Sequence, residues 1–255
     1  MTLRREVVLG GLLTILTASS EACCKPLSPA PRLRGCVIPE DLAAGFFASS
    51  SDHQTFEKGD EPMPGGSGDR DFDLALAHTL VKIGAALQVL PGFAYYDDGD
   101  SPNAYATKSK RLKRADGTVL FGLRMLKETR VETEHPEVAV TAVCAHEFGH
   151  IVQFGYGLTK TLLKGQTTPK RVELHADFLA GYFAGIRRLE NGDFPAAIFA
   201  VKLGSMGDNY FNKPEHHGTP DERAEAAAQG FKVAYHERRK LVDAVQSGVR
   251  YVSSL

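Results

Sequence analysis

The sequence predicts one α+β domain, on three observations. Short β-prone runs at residues 93–96, 103–107 and 118–122 are separated by turn-rich residues. Two long apolar stretches of helical character follow, and roughly 185 residues from position 71 onward are ample for a single core. No internal repeat interrupts this order. With a net charge of -1, the chain as a whole has no electrostatic bias toward nucleic acid.

At the N-terminus, Arg4 and Arg5 precede an apolar run over residues 7–16, and small residues follow at Ala18, Ser19, Ser20 and Ala22. This is the pattern of a secretory signal peptide over residues 1–22. The run is shorter than the about 20 residues that span a bilayer. Paired arginines admit twin-arginine export, although the phenylalanine that strengthens such a signal is missing. Cleavage after Ala22 leaves Cys23 first, which opens a lipid-modified membrane tether, with Ser20 standing where a good lipoprotein site has leucine. The expected location is exported, periplasmic or secreted. Residues 23–70 are rich in Pro, Gly and Ser and read as a flexible lead. Cys23, Cys24 and Cys36 fall within it, where an oxidising compartment would let one pair form and leave one thiol over.

Ordered structure is expected from a helix over residues 72–90, where Leu76, Leu80, Ile83 and Leu87 recur at helical spacing. The three strands come next. Between the second and third lie Lys108, Lys110, Arg111, Lys113 and Arg114, a cluster without interleaved aromatic residues to stack bases. It reads as a solvated hairpin tip, and no nucleic-acid partner is expected.

His146-Glu147-Phe148-Gly149-His150 then carries two imidazoles four residues apart with a carboxylate beside the first. On a helix, positions i and i+4 share one face, so both rings can offer a nitrogen to one metal ion. Glu147 can reach a water at that ion without binding the metal itself, as a general base for hydrolysis must. The flanks carry no charge from Val138 to Ala145 or at Ile151 and Val152, so the helix, opened at Pro136 or Glu137, is expected to be buried. Burying these groups unpartnered is costly, and the plain alternative is a pair of histidines hydrogen-bonded within the core. Cys144 lies two residues from His146, faces away from the metal and reads as a small core residue.

A catalytic zinc site takes three protein ligands and leaves one position for water. A third histidine in the metzincin manner is excluded, because Gln153 and Tyr156 stand at those positions. Downstream, Glu173-Leu174-His175-Ala176-Asp177 begins a second apolar helix with Glu173 and Asp177 four apart on one face. Glu173 is read as the third ligand, and Asp177 as the acceptor for the far N–H of a liganding histidine. The competing assignment makes His175 the ligand and Glu173 a surface carboxylate.

Taken together, HEFGHIVQ, ELHADFLAG and HHGTPDERAEAAAQGF resemble the gluzincin peptidases, and the resemblance covers roughly residues 103–231. The likeness is greatest to the neutral zinc metallopeptidase family, with kinship to the M48-type zinc peptidases. The resemblance implies a zincin-like (minigluzincin) fold, with a small sheet and the motif helix packed against a second ligand-bearing helix. It also implies His146, His150 and Glu173 as zinc ligands and Glu147 as the catalytic carboxylate. Gly207-Asp208-Asn209 resembles the stretch before the family's last motif. Within that motif His217 and Arg223 fall where related peptidases steady the oxyanion. His216 is the neighbouring candidate, and either histidine could instead cap the helix opened by Pro220, Asp221 and Glu222. Ile151 and Asn209 depart from the family pattern at positions that hold no zinc.

Asn103-Ala104-Tyr105-Ala106 resembles the M48-type edge strand along which an extended substrate lies. The physics suits that use, because an edge strand offers unpaired backbone groups to a peptide. The plain alternative is a hairpin with Asn103 in its turn. Further helices are expected over residues 195–202, 221–229 and 233–247, with Gly230 as a stop between the last two. Gly149, inside the motif helix, leaves room for another backbone to approach.

The expected activity is that of a zinc-dependent endopeptidase acting on an extended polypeptide, with Zn2+ as its cofactor. Two other classes remain. A non-catalytic periplasmic zinc-binding scaffold or chaperone requires Glu147 to be idle. A non-peptidase zinc amidohydrolase favours a deep closed pocket over an edge-strand cleft.

Overall fold

A computed structural model describes residues 35–63, 65–131 and 134–255. The expected signal peptide, Cys23 and Cys24 lie outside the described residues. In chain order the elements are α1 (Ala43–Ala48), α2 (Arg70–Leu87), β1 (Gly92–Tyr96), β2 (Ala104–Thr107), β3 (Thr118–Gly122) and α3 (Leu123–Val131). They continue with α4 (Pro136–Gly155), α5 (Thr159–Leu163), α6 (Lys170–Glu190), α7 (Ala196–Ser205), α8 (Pro220–Tyr235) and α9 (Leu241–Ser253). The class is α+β, as the sequence predicts. No helix among the described residues is long and apolar enough to cross a membrane.

The sheet has the order β1-β3-β2, with β3 parallel to β1 and antiparallel to β2. Strand residues alternate between two apolar layers, as the period of two requires. Phe93, Tyr95, Ala104, Ala106, Val119 and Phe121 join the large core shared with α2 and α4. Ala94, Tyr96, Tyr105 and Leu120 face the other way and are covered by Ile38, Leu42, Ala43, Phe46 and Phe47. The flexible lead expected up to residue 70 is therefore, from residue 35 on, part of the domain. Its turn-forming composition hides apolar residues that the second face of the sheet needs. This segment also guards both sheet edges: Val37 bridges to Ala106 on β2, and Ser50 and Gln54 bridge to Tyr96 and Phe93 on β1. The basic cluster sits in the β2–β3 connection, with Lys108 over the Phe154 ring and Arg111 over the Phe47 ring.

Helix α4 starts with Pro136 in its first turn and is buried from Val138 to Gln153. Glycines set how closely its neighbours approach. A Cβ on Gly149 would stand 3.0 Å from the Ala176 carbonyl oxygen of α6. Between α6 and α8, a Cβ on Gly181 would lie 1.9 Å from the Ala227 oxygen, and one on Gly230 would lie 1.8 Å from the Phe178 oxygen. Gly230 is thus a packing residue. It does not stop the helix, because α8 continues through it to Tyr235. The last helix accordingly begins at Leu241, past a break that includes Arg238 at φ 55°.

The start of α8 is fixed by Thr219 and Glu222, each bonding the other's backbone N–H in a capping box. Neither His216 nor His217 caps this helix. Glu222 also pairs with Lys170 at 2.9 Å, tying the first turn of α8 to that of α6. These two helix starts carry Arg223 and Glu173, so the tie sets one against the other.

Candidate metal centre

The long α4 points His146 and His150 at Glu173, in the first turn of α6, and all three are fully buried. His146 Nε2 lies 3.1 Å from Glu173 Oε2 and 3.1 Å from His150 Nε2, while His150 Nε2 lies 3.7 Å from Glu173 Oε2. The sulfur of Cys36 completes the group, with one donor atom from each of the four residues within 4.8 Å of the others. Such spacing suits donors gathered around one small ion.

The surrounding bonds decide which nitrogens face inward. His146 Nδ1 donates to Asp177 Oδ1 at 2.7 Å, which leaves Nε2 to face Glu173. On the other ring, His150 Nδ1 donates to Gln153 Oε1 at 3.0 Å. The Gln153 amide is oriented in turn, because its Nε2 donates to the Val172 carbonyl at 2.7 Å and to His175 Nδ1 at 3.2 Å. His175 donates from Nε2 to the Val245 carbonyl at 3.1 Å. Tautomers and amide are thereby assigned from one continuous network, and both liganding rings turn a basic nitrogen inward. Two basic nitrogens and a carboxylate at these distances call for a positive charge between them.

Without a metal that charge is a proton. Burial disfavours it on His146, but the charge and hydrogen bond of Asp177 and the bond to Glu173 outweigh burial and lift the pKa to about 9. For Glu173 burial acts upward, yet the charge of His150 and the bonds from both histidines hold it well below the usual carboxylate range. Burial and the charges of Glu173 and Glu147 keep the Cys36 thiol protonated, a balance that a divalent cation reverses. The donor set of two imidazoles, a carboxylate and a sulfur fits zinc.

Glu147 differs from its neighbours. It is fully buried, and neither carboxylate oxygen has a hydrogen-bond partner. Burial, its largest influence, raises its pKa to about 7. An unpartnered buried carboxylate is costly to keep, and such orphans concentrate at sites that act on something.

The other expected residues divide. Asp177 bonds His146 as the sequence reading has it. Arg223, itself buried, grips both Asp177 oxygens, with Nε at 2.8 Å and Nη2 at 3.0 Å, and gives Nη1 to the Met206 carbonyl at 3.2 Å. In this arrangement its fork is committed to Asp177, so it positions the His146 partner and does not face a substrate oxyanion. His217 is partly exposed and stands 3.4 Å from Arg223 Nη1. Both histidines meet Asp208, His216 Nδ1 at 2.7 Å from Oδ1 and His217 Nδ1 at 3.3 Å from Oδ2. His175 lies outside the donor group, because both its ring nitrogens are engaged, Nδ1 with Gln153 and Nε2 with the Val245 carbonyl, and its role runs through Gln153. Asn103, Ala104 and Tyr105 lead into and form β2, an outer strand of the sheet.

Two participants escape the sequence reading. Cys36 lies 137 residues from Glu173 along the chain, inside a stretch whose composition points to a tether. Gln153, noted only for not being histidine, falls three residues after His150, a spacing from which a side chain can reach back on a helix. Searches of protein-family models, curated proteins and solved structures find no match to this chain.

Proposed function

We propose that this chain is a zinc-dependent endopeptidase with a zincin-like (minigluzincin) fold, in keeping with its resemblance to the neutral zinc metallopeptidase family. The observation that carries the reading is Glu147: a buried carboxylate without a partner, one residue from the first of two histidines that converge with Glu173. A purely structural metal site has no use for it.

His146, His150 and Glu173 would hold the ion, with Asp177 and Gln153 fixing the two rings. A zinc ion in this place supplies Lewis acidity toward a peptide carbonyl and lowers the pKa of water. Glu147 accepts the proton of the attacking water and returns it to the leaving amine. The backbone of residues 103–105 aligns an extended polypeptide along β2, and His217 donates to the developing oxyanion. Export directed by residues 1–22, with or without a lipid on Cys23, belongs to the same proposal.

A second reading has one observation in its favour. With Cys36 the donors number four, the closed set of a structural zinc site, and this suits a non-catalytic scaffold or chaperone. The test compares the full chain with Glu147→Gln, measuring bound zinc and cleavage of an unstructured polypeptide. Zinc in both and Glu147-dependent cleavage support the peptidase. Equal cleavage by both removes Glu147 from the reaction, and zinc in both without cleavage by either favours the closed set around Cys36.

A further inference from the structure

Hydrolysis calls for three ligands and an open position, yet the centre holds a fourth donor. Cys36 is buried, and its backbone N–H donates to Glu173 Oε1 at 3.0 Å. Gly35 makes that approach feasible: it sits at φ +70°, and a Cβ there would lie 2.2 Å from the same oxygen. The next residues run along the outer edge of β2. Ala106 N–H donates to the Cys36 carbonyl at 2.9 Å, and Ile38 N–H donates to the Ala106 carbonyl at 2.9 Å, in parallel register. This backbone uses the hydrogen-bonding groups that a polypeptide substrate would need.

The consequence is visible at the chemistry. His146, Glu147, His150 and Glu173 are all 0% exposed, so no solvent or substrate touches the groups that would act. Cys36 and Glu147 are both buried, and a sulfur on the metal would displace the water whose proton Glu147 would take. A role for Cys36 as an ordinary core residue does not explain its place among four converging donors, nor the glycine before it. Cys144, the other free cysteine among the described residues, shows the contrast, since it lies within the apolar core and outside the donor group.

We propose that residues 35–38 are a built-in inhibitor that keeps the chain latent, with the Cys36 sulfur as fourth metal ligand and the adjoining backbone lying on β2 in place of substrate. The inference rests on the peptidase reading and adds its regulation. Displacing these four residues opens the coordination position and the strand edge in one movement, leaving the three-ligand centre on α4 and α6 intact.

The test loads the full-length chain, Cys36→Ser, Gly35→Ala and His146→Ala with cobalt(II). It reads bound metal, the near-ultraviolet thiolate-to-cobalt charge-transfer band and cleavage of an unstructured polypeptide. Cys23 and Cys24 are present in every variant, so a difference in the band reports Cys36. The parent should show the band and cleave slowly. Cys36→Ser should keep its cobalt, lose the band and cleave about tenfold faster or more, as release of a largely closed population requires. Gly35→Ala, which retains the thiol and disturbs only its approach to Glu173, should weaken the band and raise cleavage. An unchanged band in Cys36→Ser overturns the inference, as does equal cleavage by parent and Cys36→Ser. Both results leave the peptidase reading standing if Glu147→Gln abolishes that cleavage. Loss of the band with no cleavage by any variant overturns latency and the peptidase reading together, and equal cobalt in His146→Ala and the parent overturns the centre itself.

Discussion

The two walls of the candidate metal centre are built differently. The inner wall, on α4, α6 and α8, holds each ligand through side chains that are themselves held: His146 by Asp177, Asp177 by Arg223, His150 by Gln153, and Gln153 by His175 and a backbone carbonyl. The outer wall is residues 35–38, fastened by backbone hydrogen bonds to Ala106 and Glu173 and by the burial of Cys36 and Ile38. A wall cross-braced by buried charge can preserve geometry through a reaction. A wall held by backbone bonds at a sheet edge and a few apolar side chains, with no buried charge of its own, can leave without dismantling the other.

The comparison breaks most completely at a ligand. His146→Ala should abolish metal binding and with it the proposed cleavage, measured as bound zinc after dialysis and as residual activity on an unstructured polypeptide. Asp177→Ala comes next, since it strands the buried Arg223 guanidinium as well as freeing the His146 ring. The expected cost is about 3–5 kcal/mol in urea unfolding and roughly 10–100-fold in zinc affinity.

A third effect comes from His175, in the outermost link of the inner network. Burial holds its pKa at about 4 against an ordinary 6.5, so between these values the unfolded chain binds a proton that the native chain refuses. The contribution of His175 should therefore be complete above about pH 6.5 and fall as acid is added through the window, by up to roughly 3 kcal/mol, against the opposite slope that Glu147, raised to about 7, adds over much of the same range. The difference in urea midpoints between the metal-free chain and its His175→Gln variant across that window checks it, and a difference that does not change with pH would mean that His175 is less enclosed than described. The smallest effect belongs to the outer wall. Val37→Lys, on a half-buried residue packed against the apolar cluster of Leu162, Val172, Leu174, Ala226 and Val252, should cost about 1 kcal/mol in unfolding. A loss comparable to that of Asp177→Ala would erase the distinction between the walls.

Much of the inner wall is legible in the sequence because helices convert spacing into direction. His146 and His150, and again Glu173 and Asp177, are four residues apart, and the structure brings each pair to a common side. The outer wall is not legible in this way. Nothing in the spacing of Cys36 announces contact with residues more than a hundred positions away, and the turn-rich composition around it conceals Ile38, Phe46 and Phe47, which cover the sheet. Gly230 shows a related limit. A glycine in a helix reads as a stop or as a gap according to what lies opposite, and only the path of α6 reveals the Phe178 carbonyl there. Arg223 carries a similar lesson, because a motif names the residue while its neighbours decide where its guanidinium points.

The edge pairing of Val37 with Ala106 bears on colloidal behaviour as well as on access. With residues 35–38 in place, the outer side of β2 cannot template another strand, whether from a substrate or from a second molecule. Were they to leave, as proposed, the chain would carry a bare, largely apolar strand, and the molecules open to a polypeptide would be those most prone to associate with one another.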